Sequence, residues 1–175
     1  MFPLRDNIPS RRWPLATWAL ITFNALVFLF QLTLTDQQLQ QVVYLYGVVP
    51  RRFTHPYWAH LAGFPGFSLW PFFTSQFLHG GWLHVIGNMW TLWIFGDNVE
   101  DRMGPVRFLL FYLGCGVAAC LTHVVISPNS AVPAIGASGA IAGVLAAYLF
   151  LYPLARVVCL VPIFFYPLLL EVPAF

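Results

Sequence analysis

Uncharged apolar runs, separated by short clusters of charge, glycine and proline, set the layout of this chain. The first run covers 14–34 and follows Arg5, Arg11 and Arg12. A lipid core about 30 Å thick is crossed by around 20 apolar residues in a helix, so 14–34 predicts a membrane span. It is longer than the roughly 7–15 residues of a signal-peptide core and has no small-residue cleavage pattern, so it reads as a retained anchor. Further spans are expected at 78–95, 106–126 and 135–152. The charged stretch 96–102 then forms one turn, and Ser127-Pro128-Asn129-Ser130 another. Residues 35–71 mix Asp36, Arg51, Arg52, His55 and His60 with Gly, Pro, Phe and Trp. That mixture is too polar to span and too aromatic for a linker, which predicts a long interfacial loop with short amphipathic helices. From 157 onward, Pro162, Pro167 and Pro173 with Glu171 argue against a straight helix. An interfacial segment is expected there, leading toward a further helix.

Composition fixes the solvent. The 175 residues are 59% hydrophobic and 8% charged, against about 45–50% and about 25% for soluble domains. Mean hydropathy is +0.75. Six acidic and eight basic groups do not wet a globule of this size, so the missing surface faces the lipid bilayer. All eight basic residues are Arg, and the net charge is only +2, too little spread of cations to track nucleic acid. Six of those arginines, Arg5, Arg11, Arg12, Arg102, Arg107 and Arg156, fall on one side of the expected topology. The positive-inside rule makes that side cytoplasmic. The expected organisation is a cytoplasmic N-terminus over 1–13 and a multi-pass membrane domain over 14–175, with residues 35–71 outside.

Polar groups within spans are costly, so each is a functional candidate. His84 and Asn88 are four apart and share one helix face. Two donors aimed at one point are what a developing oxyanion requires. The alternative is that they bond to neighbouring helices and fix packing. In Gly136-Ala137-Ser138-Gly139, Ser138 opens an expected span and is flanked by glycines that let backbone approach closely. Gly139 and Gly143 make a G-x-x-x-G face, a helix-contact signal, and Ser138 would then be one more small residue. The three cysteines, Cys115, Cys120 and Cys159, are odd in number, lie in apolar runs and show no metal spacing. His79 and His84 lack the Glu of a zinc-protease helix, and His123, near the end of the third span, is not expected to reach Ser138. Neither a metal nor a cofactor is expected.

Three motifs in order, Phe77-Leu78-His79-Gly80-Gly81-Trp82-Leu83-His84 with Gly87-Asn88-Met89, then Phe95-Gly96-Asp97-Asn98-Val99-Glu100-Asp101, then Gly136-Ala137-Ser138-Gly139, resemble the rhomboid family of intramembrane serine proteases. The resemblance implies an all-α, polytopic membrane bundle with a six-helix core, about four of whose helices fall within these residues. It implies hydrolysis of peptide bonds in membrane-anchored protein substrates. Ser138 matches the nucleophile, His84 and Asn88 the oxyanion donors, and Gly136 and Gly139 the backbone approach. His79 and Gly143 take structural places. The family's general base comes from an A-H-x-x-G-x-x-x-G helix, and no such motif occurs here; Trp70-Pro71 also departs from the family's Trp-Arg pair in the loop. A serine without a base is a weak nucleophile. The chain as written is therefore expected to be truncated and nearly inactive. A rhomboid-like pseudoprotease that binds membrane helices is the alternative. A channel or transporter would rest only on polar residues in spans and lacks repeat symmetry.

Overall fold

A computed structural model describes residues 2–163 and 166–174. Eight helices and three strands follow one another as β1 (Phe2–Asp6), α1 (Leu15–Leu32), α2 (Asp36–Tyr46), α3 (Pro50–Thr54), α4 (Pro56–Leu61), α5 (Pro71–Thr74), α6 (Trp82–Met103), α7 (Pro105–Ile126), α8 (Ser138–Leu151), β2 (Arg156–Ile163) and β3 (Tyr166–Pro173). A 3-10 turn, Ser75–Phe77, joins α5 to the segment before α6. Helices α1 and α7 are long and apolar enough to cross a membrane. Helix α8 is apolar but has 14 residues, and α6 is long but ends in charge.

The long helices pack around Leu92, Val99, Phe108, Tyr112, Val144 and Tyr148, all essentially inaccessible. Close approach depends on missing side chains. A Cβ at Gly139 would lie 2.5 Å from Ala119 Cβ, and one at Gly143 2.4 Å from Cys115 Sγ. The G-x-x-x-G face of α8 therefore seats on residues four apart on α7, a small-residue contact of the kind that draws membrane helices together. Gly96 of α6 stands in the same relation to Thr17 of α1, whose Oγ1 lies 3.1 Å from the position of a Cβ.

The stretch 96–102, read from sequence as a turn, is instead the last part of α6, which runs to Met103. The reason lies in where its charge goes. Glu100 is 3% exposed, and its carboxylate accepts from Ala16 N at 2.9 Å, Thr17 N at 2.8 Å and Thr17 Oγ1 at 2.8 Å. Pro14 precedes α1 and provides no side-chain cap. Glu100 supplies one from another helix, an anion at the positive end of the α1 dipole. A charge satisfied in this way does not stop a helix. The turn comes one residue later, at Gly104 with φ +79, a left-handed conformation that glycine adopts freely.

The all-α expectation needs a second correction. The N-terminal residues and the segment after Tyr152 form a three-stranded antiparallel sheet in the order β1-β2-β3. Prolines deny this segment a helix, while Val157, Val158 and Val161 suit a strand. Pro162 and Pro167 are paired beside the hairpin connection, and Pro173 ends β3, the end positions where strands tolerate proline. The sheet docks on the bundle through buried Val157 and Cys159. Asp6 Oδ2 accepts from Tyr148 Oη at 2.5 Å and from Asn98 Nδ2 at 2.9 Å. Trp90 Nε1 donates to Pro3 O at 2.6 Å.

Candidate active site

The site lies at the opposite end of α6 from Glu100 and is assembled from four parts of the chain. Helix α6 begins at Trp82, so His84 falls in its first turn and Asn88 one turn further. The segment before α8 is pinned to the 36–77 region by hydrogen bonds. Val48 and Ala134 exchange a pair at 3.0 and 2.8 Å, and Gly136 N donates to Ser75 O at 2.8 Å. Gly136 has φ +120, and a Cβ there would sit 2.5 Å from His84 Nε2 and 3.7 Å from Asn88 Nδ2. Only glycine lets the backbone pass this close while holding that conformation. Two residues later Ser138 opens α8, with an exposed side chain and no side-chain cap from Ala137.

A polar chain fixes the donors. Gln31, on α1 and 3% exposed, holds the His79 backbone from both sides: its Nε2 donates to His79 O at 3.0 Å and its Oε1 accepts from His79 N at 3.0 Å. The His79 ring places Nδ1 3.3 Å from Phe77 O and Nε2 3.0 Å from Asn88 Nδ2. A carbonyl only accepts, so Nδ1 carries the proton and Nε2 accepts from the Asn88 amide. That uses one Asn88 N–H and leaves the other free. Gly80 N donates to His84 Nδ1 at 3.5 Å, which puts the His84 proton on Nε2, the atom that faces Gly136. The His79 and His84 rings stack edge to face with centroids 5.0 Å apart, a second constraint on both.

Ser138 lines a cavity of about 160 Å³ together with Ser75, Gly116, Cys120, His123 and Gly136. Sequence placed His123 away from Ser138; the two share this cavity, although among the described residues no hydrogen bond joins Ser138 to a histidine. Gly136 faces His84, whereas Gly139 and Gly143 face α7 and serve its packing. Gln31 and Ser75 were not singled out from sequence. Gln31 carried a usable signal, since it is one of two strongly polar residues, with Asn24, in the first apolar run. Ser75 acts through its backbone carbonyl and carried none.

The family model for the Rhomboid domain matches residues 66–173, a segment that holds every one of these site residues except Gln31. This chain belongs to the rhomboid family. It is 42% identical over 81 residues to the rhomboid protease GluP of Bacillus subtilis, 46% of this chain and 15% of that protein. It is 37% identical over 82 residues to the putative rhomboid protease YdcA of the same organism, 47% of this chain and 41% of that protein. With the chloroplastic Rhomboid-like protein 11 of Arabidopsis thaliana the identity is 41% over 81 residues, 46% of this chain and 29% of that protein. The chain thus matches less than half of the length of each of these relatives. No solved structure matches. As a member of this family the chain is an integral membrane protein.

Proposed function

We propose that this chain carries the nucleophile and oxyanion site of a rhomboid-type serine endopeptidase that cleaves membrane-anchored protein substrates. The observation that carries the reading is the contact between Gly136 and His84, which brings two free N–H donors to the turn bearing Ser138. In the proposed reaction Ser138 Oγ attacks the scissile carbonyl carbon and gives its proton to a general base. The carbonyl oxygen becomes an oxyanion, held by His84 Nε2–H, by the free Asn88 Nδ2–H and by the unpaired amide at the start of α8. Preorganised donors of this kind act strongly where water is excluded. Collapse of the intermediate breaks the C–N bond as the protonated base returns its proton to the leaving amine, and water then hydrolyses the acyl-serine and restores the Ser138 hydroxyl.

The base is the part these residues do not supply, since the sequence holds no A-H-x-x-G-x-x-x-G helix. Loss of one member of a cooperative catalytic set costs on the order of 10⁴ to 10⁶ in kcat. The 175 residues alone are therefore proposed to be nearly inactive. The proposed topology is multi-pass, with the N-terminus and Arg5, Arg11, Arg12, Arg102, Arg107 and Arg156 cytoplasmic, and the 35–71 loop outside. A second reading, a pseudoprotease that binds membrane helices without cutting them, rests on Ser138 having no hydrogen bond to a histidine among the described residues.

Cleavage of a single-span protein substrate in proteoliposomes separates the two. The assay is run with this chain alone and with an A-H-x-x-G-x-x-x-G helix co-reconstituted. The protease reading expects cleavage only with the added helix and none after Ser138→Ala. Substrate co-purification without cleavage under both conditions supports the binding reading instead.

A further inference from the structure

Away from Ser138, the loop region holds an arginine with no counter-anion. Arg52, on α3, is 7% exposed. Among the described residues its guanidinium makes one hydrogen bond, Nη1 to Leu45 O at 3.1 Å, out of five N–H donors, and no ion pair. Its Cζ lies 5.1 Å from the Phe64 ring centroid and 5.7 Å from that of Phe53. Those ring faces offset part of the cost of burying a cation, but a buried charge is ordinarily paired. The neighbouring Arg51 adds a buried Nε with no partner. Burial without a balancing charge pushes the Arg52 pKa down from its ordinary value.

Among the described residues none provides the missing anion. Between residues 35 and 77 the single acidic residue is Asp36, which is exposed in the first turn of α2. What Arg52 does line is a cavity of about 230 Å³, closed on other sides by Phe53, Ala59, His60, Phe64 and Phe67. His60 offers a second donor. Phe67 is 81% exposed. A buried guanidinium in a cavity also lined by Phe53, Phe64 and the exposed Phe67 matches a ligand that is anionic at one end and apolar at the other. Guanidinium recognises the paired oxygens of a phosphate through parallel hydrogen bonds, and exposed aromatics of this kind settle at lipid headgroup level.

We propose that the Arg52 cavity binds the phosphate of an anionic membrane phospholipid, with Arg52 holding the phosphate oxygens, His60 donating a further hydrogen bond and Phe67 lying against the glycerol and upper acyl carbons. Neither the catalytic reading nor the position of Ser138 enters this assignment. Native mass spectrometry of the purified chain from micelles containing equal phosphatidylglycerol and phosphatidylcholine tests it. The expected result is one retained phosphatidylglycerol, preferred by about tenfold or more, the scale of one charged hydrogen-bonded contact. Arg52→Gln is expected to abolish the preference and Arg52→Lys to keep part of it. Arg107→Gln, an exposed change elsewhere, leaves it intact. Equal retention of the two lipids by the parent chain overturns the proposal, whether or not the variants fold. So does an unchanged preference in folded Arg52→Gln. If inorganic phosphate displaces the lipid and stabilises the chain equally well, the lipid assignment fails in favour of a free anion.

Discussion

Gly136 carries the backbone past the His84 ring so closely that a methyl group there would stand 2.5 Å from Nε2, at a φ of +120. Gly136→Ala therefore meets two obstacles, a backbone conformation that costs an alanine about 1–3 kcal/mol and a ring that must move. The expected outcome is a lower melting temperature together with loss of Ser138 reactivity. Thermal unfolding in detergent, and fluorophosphonate labelling with an A-H-x-x-G-x-x-x-G helix co-reconstituted, both beside the parent, measure the two effects. Unchanged behaviour in both would mean that the Gly136 and His84 contact is not needed.

Glu100 caps α1 from α6, and its three hydrogen bonds span 83 and 84 residues of sequence. Removing a buried charged acceptor leaves those donors unpaired. Glu100→Ala is expected to lose about 3 kcal/mol, and Glu100→Gln, which keeps one acceptor oxygen, about half of that. Urea unfolding of the two variants in the same micelle gives the comparison.

At the α7–α8 contact, Gly143→Ala would place a methyl 2.4 Å from Cys115 Sγ. Overpacking of this kind costs about 1–3 kcal/mol, more than the gain in helix propensity of about 0.5–1 kcal/mol. Because Cys115 Cβ would also lie 2.6 Å from that methyl, it is Cys115→Gly, not Cys115→Ala, that is expected to return most of the overpacking loss when added to Gly143→Ala. A double-mutant cycle reads the coupling, and purely additive effects would show that the two residues are not in contact.

Asp6 gives the fold a pH dependence. Burial raises its pKa from 3.8, against the opposing pull of the Tyr148 hydrogen bond. A carboxyl raised in the folded state favours folding when protonated. Its contribution is complete below pH 3.8 and disappears as pH rises through the folded value. The docked sheet is thus expected to loosen on going from pH 4 toward neutrality, and Asp6→Asn to flatten that dependence. Hydrogen exchange of β1 amides, followed against pH in both chains, is the measurement.

The apolar runs located α1, α7 and α8 to within three residues at most ends, because lipid-facing helices declare themselves through length and hydropathy. The end of α6 did not, since Glu100 reads as surface until its partners on α1 are known. The sheet was hidden for a related reason. Its prolines argued against a helix where β2 and β3 lie, but β2 pairs with Phe2–Asp6, some 150 residues away, and no local pattern encodes that pairing. Among site residues, Ser138, His84 and Asn88 stood out as costly polar groups in apolar surroundings. Gln31 is legible by the same argument. Arg52 looked like an ordinary loop charge, because burial without a partner is a property of three-dimensional packing alone.

The central claim is that Ser138 is a nucleophile served by oxyanion donors on α6. It is tested most directly by the rate of fluorophosphonate addition, read by peptide mass spectrometry, to this chain co-reconstituted with an A-H-x-x-G-x-x-x-G helix. The predicted result is an adduct on the peptide containing Ser138, absent in Ser138→Ala, and formed about 10²- to 10³-fold more slowly in His84→Ala and Asn88→Ala. No adduct in the presence of the helix, or an adduct that survives Ser138→Ala, would contradict the account.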